Sequence, residues 1–319
     1  YKNWLSIINR KEVKNDFKEF KFNLPLYILY SSGTTGIPKC IVHGAGGSLI
    51  QHKKEHQIHC DIRPNDKVFY YTTCGWMMWN WMGSALAVEG SLVLYDGSPT
   101  YPQPDQLWRL CQEEKVDIFG TSPKYIHYCM KEELFPRDLL QEHKIKTILS
   151  TGSPLLIEQF EWIYRCVDED LHLASISGGT DICSCFMLGN PLLPVYKGEI
   201  QSPGLGMSIA SYSDDGVMLK KGKGELVCNR PFVSMPLYFM NDTDGSHYKS
   251  SYFDHYQGGD ELWRHGDFIE FTENGGIIVY GRSDTTLNPG GIRFGTAEIY
   301  RCMEKIKGIS DCIVAPFRG

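Results

Sequence analysis

The sequence predicts an α/β fold: layered αβ sheets, then a small β-barrel-like part, then the truncated start of a small α+β domain. Three observations predict it. Over roughly the first 190 residues, short apolar runs alternate with stretches of helical spacing, the pattern of a mostly parallel sheet with helices on its faces. After that, Gly and Pro become frequent, and tight turns at Asp214-Asp215-Gly216 and Glu273-Asn274-Gly275-Gly276 separate short strand-like segments. A further element begins near Leu287, and the chain reaches Gly319 with too little sequence left to close another core.

In order, Leu26-Tyr27-Ile28-Leu29-Tyr30 reads as a buried strand feeding a loop rich in Gly, Ser and Thr. Strands follow at Val68-Phe69-Tyr70-Tyr71, Leu92-Val93-Leu94-Tyr95, Val116-Asp117-Ile118-Phe119 and Thr147-Ile148-Leu149. Residues near 103–114, 122–132 and 155–167 carry helical spacing. Antiparallel or barrel-like structure is expected from about 195 to 281, a helix from Gly295 to about Lys305, and a strand at Cys312-Ile313-Val314.

Composition narrows the classes. The 319 residues are about twice the ~150 typical of one domain. Apolar residues make up 42% and charged residues 22%, as in globular proteins. Thirty-two basic against 38 acidic side chains leave a net charge of −6, which argues against nucleic-acid or anionic-membrane partners. Tyr1-Lys2-Asn3-Trp4 does not open a basic-then-apolar leader, and no run approaches the ~20 apolar residues of a membrane span. Eleven cysteines without a repeating frame fit reduced thiols in a cytoplasmic protein.

The stretch Ser31-Ser32-Gly33-Thr34-Thr35-Gly36-Ile37-Pro38-Lys39 carries the strongest chemical signal. Glycines bring backbone N–H groups close to an anion, while hydroxyls and Lys39 add donors and positive charge. A polar surface loop would use the same residue types, but eight specified positions at such usage arise by chance only about once in 10¹⁰ starts. Pro38 stands where the other familiar phosphate loop requires glycine.

This loop resembles the signature of the acyl-adenylate-forming superfamily, which includes acyl-CoA synthetases, luciferases and peptide-synthetase adenylation domains. Three later segments are similar in order and spacing: Ser177-Gly178-Gly179-Thr180-Asp181, Trp263-Arg264-His265-Gly266-Asp267, and Tyr280-Gly281-Arg282-Ser283-Asp284 followed by Gly290-Gly291-Ile292-Arg293. The resemblance spans residues 26–301. It implies that residues 1–283 are part of the large AMP-binding domain and that 284–319 hold the hinge, at Asp284, and the truncated start of the C-terminal domain. The chain would then be the central portion of a longer enzyme and inactive alone, since the family's adenylation lysine would follow Gly319.

The resemblance also implies roles. Ser31, Ser32, Gly33, Thr34, Thr35, Gly36 and Lys39 would hold the β- and γ-phosphates of ATP. Thr180 would contact the α-phosphate, and Asp181, where the family usually has Glu, would help hold Mg²⁺; a helix N-cap is the plain alternative. Asp267 would accept the ribose hydroxyls. Gly152, Ser153 and Pro154 follow a strand end, where open α/β sheets bind ligands, and resemble the adenine-side loop. Arg282 would reach ribose or phosphate and Arg293 a phosphate. Gly178 and Gly179 would border the adenylate, and Gly291 would lie beside the path of CoA.

Gly295-Thr296-Ala297-Glu298-Ile299 is similar to the family's short-chain branch, and so is the aromatic block Cys74–Trp81, where Trp76 and Met77 would line the acid pocket or pack the core. Members that use acetate carry tryptophans where this chain has Ser177 and Gly178. Hydrogen in place of an indole opens space, so an acid longer than acetate is expected, acetoacetate favoured. The implied partners are small molecules: a short-chain acid, ATP and CoA. Acetate or propionate as the acid, and a non-catalytic nucleotide-binding homologue, stay open. His52, His56 and His59 share a helical stripe ahead of Cys60; a zinc site is conceivable, but their charged neighbours favour a solvated helix face.

Overall fold

The computed structural model describes residues 17–31, 38–142, 145–256 and 262–283, with scattered positions from 299 to 314. The chain enters through an antiparallel hairpin, β1 (Pro25–Ser31) and β2 (Lys39–Gly44), in which Ser31 pairs with Lys39. β1 is the strand expected, but it is not buried: alternate residues Leu26, Ile28 and Tyr30 are exposed. As the edge of its sheet it is covered on one face only. Helix α1 (Ala45–Lys54) leaves β2 directly and continues into a π-helical turn, Glu55–His59.

The parallel sheet forms where the apolar runs predict it. β3 (Lys67–Tyr70), β4 (Ser91–Leu92), β5 (Ile118–Thr121), β6 (Thr147–Ser150) and β7 (His172–Ser175) lie in the order β4-β3-β5-β6-β7. Register places Phe69, Phe119, Ile148 and Leu173 in one row across four strands. That row faces the helices α3 (Gln106–Glu114), α4 (Pro123–Lys131) and α5 (Ile157–Cys166), whose Trp108, Ile126 and Phe160 complete a fully buried cluster. Tyr70, Leu149 and Ala174 form the row behind it and pack on α2 (Met77–Gly83) through Met78, Trp81 and Met82. Each Leu, Ile, Phe or Met among them contributes about 1.5–3 kcal/mol on burial. The helix boundaries follow local chemistry: Ser122 Oγ accepts the Tyr125 N–H ahead of Pro123, and α3 stops at Lys115 in the left-handed region.

Beyond β7 the sheets are antiparallel. β8 (Ser177–Gly179), β9 (Ser184–Leu188) and β10 (Ser202–Pro203) form one; β11 (Ile209–Tyr212), β12 (Lys223–Cys228), β14 (Trp263–Phe271) and β15 (Ile277–Arg282) form another. β13 (Tyr238–Phe239) instead joins β2, and α6 (Ser246–Tyr252) follows it. The antiparallel texture is as expected, but no barrel closes among the described residues, because β11 and β15 are opposite edges of an open sheet. The expected helix from Gly295, and the hinge and glycines at 284–291, lie outside the described residues. Cys312–Val314, expected as a strand, belongs to no sheet among them.

Candidate active site

The strand order reverses at β3, since β4 lies on one side of it and β5 on the other. Open α/β sheets bind ligands outside the carboxyl ends of strands at such a reversal. A cleft of about 490 Å³ lies outside the carboxyl ends of this sheet, lined by residues that follow β3, β6 and β7 and by none that follow β5, and its size is within the ~300–1,000 Å³ common for small-molecule sites. Its walls come from the segments that follow β3, β6 and β7, joined by β1, β8, β9, β14 and β15.

Of the residues singled out by sequence, Gly152, Ser153, Pro154, Gly178, Gly179, Thr180, Asp267 and Arg282 all line this one cleft. Trp76 and Met77 line it as well. Gly152 turns the chain out of β6 at φ 100°, a conformation favouring glycine. Ser31 and Lys39 are the paired ends of the β1–β2 hairpin. Ser32, Gly33, Thr34, Thr35 and Gly36 lie outside the described residues, as do Gly291 and Arg293.

Thr180 and Asp181 sit in the turn between β8 and β9 rather than at a helix start. Lys39 Nζ stands 2.9 Å from Asp181 Oδ1, and the Tyr252 hydroxyl of α6 donates to the same oxygen. Burial pushes the Asp181 carboxyl up, but the Lys39 charge, His265 and the Tyr252 hydroxyl outweigh it and hold it down at about 2. Lys39 also lies 4.5 Å from the centre of the Tyr252 ring, which stacks on Trp263 at 3.7 Å between centroids. The cation and the carboxylate that the sequence assigns to phosphate and metal are thus paired with each other.

The turn is also held from behind. His43, at the end of β2 and fully buried, donates from Nε2 to the Thr180 carbonyl at 3.0 Å. Burial lowers its imidazole to about 4, so it is neutral at physiological pH. His52 on α1 donates to the carbonyl of Cys183, a residue with φ 48° in the left-handed region that β-carbon sterics disfavour. Strain of this kind persists only where surrounding contacts over-determine it.

Asp267 and Arg282 are register partners on β14 and β15. Arg282 Nη1 lies 3.6 Å from Asp267 Oδ1 and donates to the His265 carbonyl at 3.1 Å. Gly266, at φ 88°, leaves room for that guanidinium: a β-carbon there would come within 2.8 Å of Nη2. His265 Nε2 is 3.7 Å from the second Asp267 oxygen, and burial pushes that imidazole down against the opposing pull of the Asp267 and Asp181 carboxylates.

Two expectations need correction. A β-carbon on Gly178 would lie 2.0 Å from the Ser184 carbonyl oxygen of β9, not in open space. The glycine is required by close strand approach, and the room in the cleft does not come from a missing side chain at that point. His52, His56 and His59 are not on a solvated face. All three are buried, and among the described residues no group of three or more His, Cys, Asp or Glu could hold a metal.

His43, Tyr252 and His265 were not anticipated. Tyr252 lies 71 residues from Asp181 with nothing local to mark it. His43 had a faint signal: it ends a β run, Ile41-Val42-His43, in which both predecessors are buried.

The sequence and the fold both have close relatives. A family model described as AMP-binding enzyme matches residues 5–238. Acetoacetyl-coenzyme A synthetase of Rhizobium meliloti (strain 1021) is 52% identical over 297 residues, 93% of this chain and 45% of the relative. Acetoacetyl-CoA synthetase of Mus musculus is 48% identical over 302 residues, 94% of this chain and 44% of the relative. The solved structure of acetoacetyl-CoA synthetase from Streptomyces lividans superposes with a TM-score of 0.88 at 42% identity, covering 97% of this chain and 48% of that one. The chain spans somewhat under half the length of the curated relatives it matches. Three of the motif segments share one cleft with the Gly152–Pro154 turn, and a family model covering most of the chain establishes that this chain belongs to the AMP-binding enzyme family.

Proposed function

We propose that this protein serves as an ATP-dependent acid–CoA ligase, activating a short-chain acid as its acyl-adenylate and passing the acyl group to CoA with release of AMP and pyrophosphate. Acetoacetate is the favoured acid, because the relatives near half identity are named for it. The observation that carries the reading is the convergence of Thr180, Asp267, Arg282 and the Gly152–Pro154 turn on one cleft.

The difficulty of the first step is charge: a carboxylate must approach an already anionic α-phosphate. In this reading the Thr180 hydroxyl faces that phosphate, with its backbone fixed by His43. Asp267 takes the two ribose hydroxyls, the Gly152–Pro154 turn borders adenine, and Arg282 lies over ribose or phosphate. Ser31 through Gly36, with Lys39, hold the β- and γ-phosphates. Arg293 serves a phosphate, and Gly291 the path of CoA. The acid would occupy the end of the cleft near Met77, Gly178 and Cys185, all of which line it. Residues 1–283 would act as the large domain and 284–319 as hinge and start of the C-terminal domain.

Asp181 suits Mg²⁺: its carboxyl is held ionised at about 2, and it is a hard oxygen donor. Mg²⁺ commonly takes one or two carboxylates and completes its shell with phosphates and water. Bound there, it would neutralise developing phosphate charge. All eleven cysteines are free thiols, which supports a cytoplasmic setting. Among the described residues no helix is long and apolar enough to cross a membrane.

The test is exchange of labelled pyrophosphate into ATP by the protein as its gene encodes it, with no acid, acetate, propionate and acetoacetate in parallel. Acid-dependent exchange that is fastest with acetoacetate is expected. Exchange that needs no acid, or none with any acid, would overturn the reading.

A further inference from the structure

Helix α1 and its π-helical extension are amphipathic in the inverse sense. Ser48, Gln51, His52, Glu55, His56 and His59 are all buried, at the spacing i, i+3, i+4, i+7, i+8, i+11 of a single helical stripe. Leu49, Ile50 and Ile58 are exposed instead. Burying a polar stripe is unfavourable unless its groups are bonded, and a fully bonded network fixes a single arrangement of the elements it joins.

Glu55 is the hub of that network and has no exposed surface. One carboxylate oxygen accepts from the Ser184 hydroxyl at 2.7 Å, the Cys185 backbone N–H at 3.2 Å and the Gln51 amide at 2.8 Å. The other accepts from the Trp81 indole N–H at 2.7 Å. Ser184 and Cys185 line the cleft beside Gly178, and Cys185 is the register partner of Gly178. Trp81 belongs to α2, the helix whose Met77 and Met78 also line the cleft. His52 and His56 hold the same two elements, through the Cys183 carbonyl and the Trp81 carbonyl respectively.

We propose that Glu55 is a positioning residue for acid selectivity: it fixes the Ser184–Cys185 edge of β9 against Trp81 of α2 and so sets the width of the acid end of the cleft. Glu55 itself does not line the cleft; it acts through the two walls it joins. This rests on the ligase reading above. Its geometric content, that one buried carboxylate sets the spacing of two walls, has a readout that needs no turnover.

The variants are Glu55→Gln, which keeps the shape but brings a donor to face existing donors, and Trp81→Phe, which keeps the ring and deletes one bond. Both are made in the protein as its gene encodes it. In Glu55→Gln the kcat/KM ratio for acetoacetate over acetate should change about tenfold, as misplacement of walls near the reacting group does. The KM for ATP should move less than twofold. Trp81→Phe should shift the ratio in the same direction by a smaller factor. Hydrogen exchange supplies the arm independent of activity: amides of β9 should exchange at least tenfold faster in both variants, while those of β12 keep their protection. A selectivity ratio within twofold of the parent, whether or not overall activity falls, would overturn the proposal. Unchanged β9 protection in Trp81→Phe would overturn it even where Glu55→Gln does not fold. If the parent protein shows no acid-dependent exchange, the ligase reading fails, and β9 protection still decides whether Glu55 fixes the wall.

Discussion

Replacing Asp181 by Asn removes one charge and almost no volume from the turn that carries Thr180 into the cleft. The Asp181 carboxyl titrates at about 2 instead of its ordinary 3.8. At about 1.36 kcal/mol per tenfold change in proton affinity, the native environment favours the ionised form by roughly 2 kcal/mol. A carboxyl whose folded value is depressed stabilises the protein at every pH above its unfolded value of about 4, and that contribution fades only as pH falls through the folded value. Urea unfolding of parent and Asp181→Asn at pH 5, 6, 7 and 8 should therefore show a constant loss near 2 kcal/mol. Lys39→Met should lose less in the Asn background than in the parent, because the 2.9 Å partner is already gone. A loss below about 0.5 kcal/mol, or one that changes across those four pH values, would refute the reasoning.

Three further outcomes are expected. Asp267→Asn should weaken AMP binding about tenfold or more while leaving 2′,3′-dideoxy-AMP nearly unaffected, as calorimetry would show, because only the ribose hydroxyls lose a charged acceptor. Gly178→Ala should cost about 1–3 kcal/mol in urea unfolding, since its β-carbon would meet the Ser184 carbonyl at 2.0 Å; a neutral result would mean that the cleft, not β9, lies along that vector. Stability should also decline as pH falls below about 6.5. His43 stays neutral in the folded state down to about 4, whereas the unfolded chain takes up the proton first, a loss of roughly 3 kcal/mol by pH 4. A urea midpoint that is flat from pH 7 to 4.5 would contradict this.

Much of the fold is legible locally. The runs at 68–71, 116–119 and 147–149 became strands of the parallel sheet because continuous apolar segments suit a sheet covered on both faces. Leu26–Tyr30 misled for the same reason: an apolar run reads as buried, but β1 is an edge whose outer face stays open. The motif residues around Thr180, Asp267 and Arg282 were legible because each is a short segment whose spacing survives in the sequence. Their supports were not. Tyr252 and Glu55 reach the site from distant elements, His265 sits inside a motif with nothing in its spacing to mark a role, and the α1 stripe looks like a solvent face because its polarity is inverted. No periodicity can tell a buried polar stripe from an exposed one; only the partners brought by β9 and α2 decide it.

The most direct measurement is a crystal structure of the protein bound to a non-hydrolysable acyl-adenylate analogue of a short acid. The ribose hydroxyls should lie on the Asp267 carboxylate, the base beside Gly152–Pro154, the phosphate mimic by the Thr180 hydroxyl, and the acyl chain between Met77 and Cys185. An analogue seated outside this cleft, or one whose ribose leaves Asp267 untouched, would contradict the account.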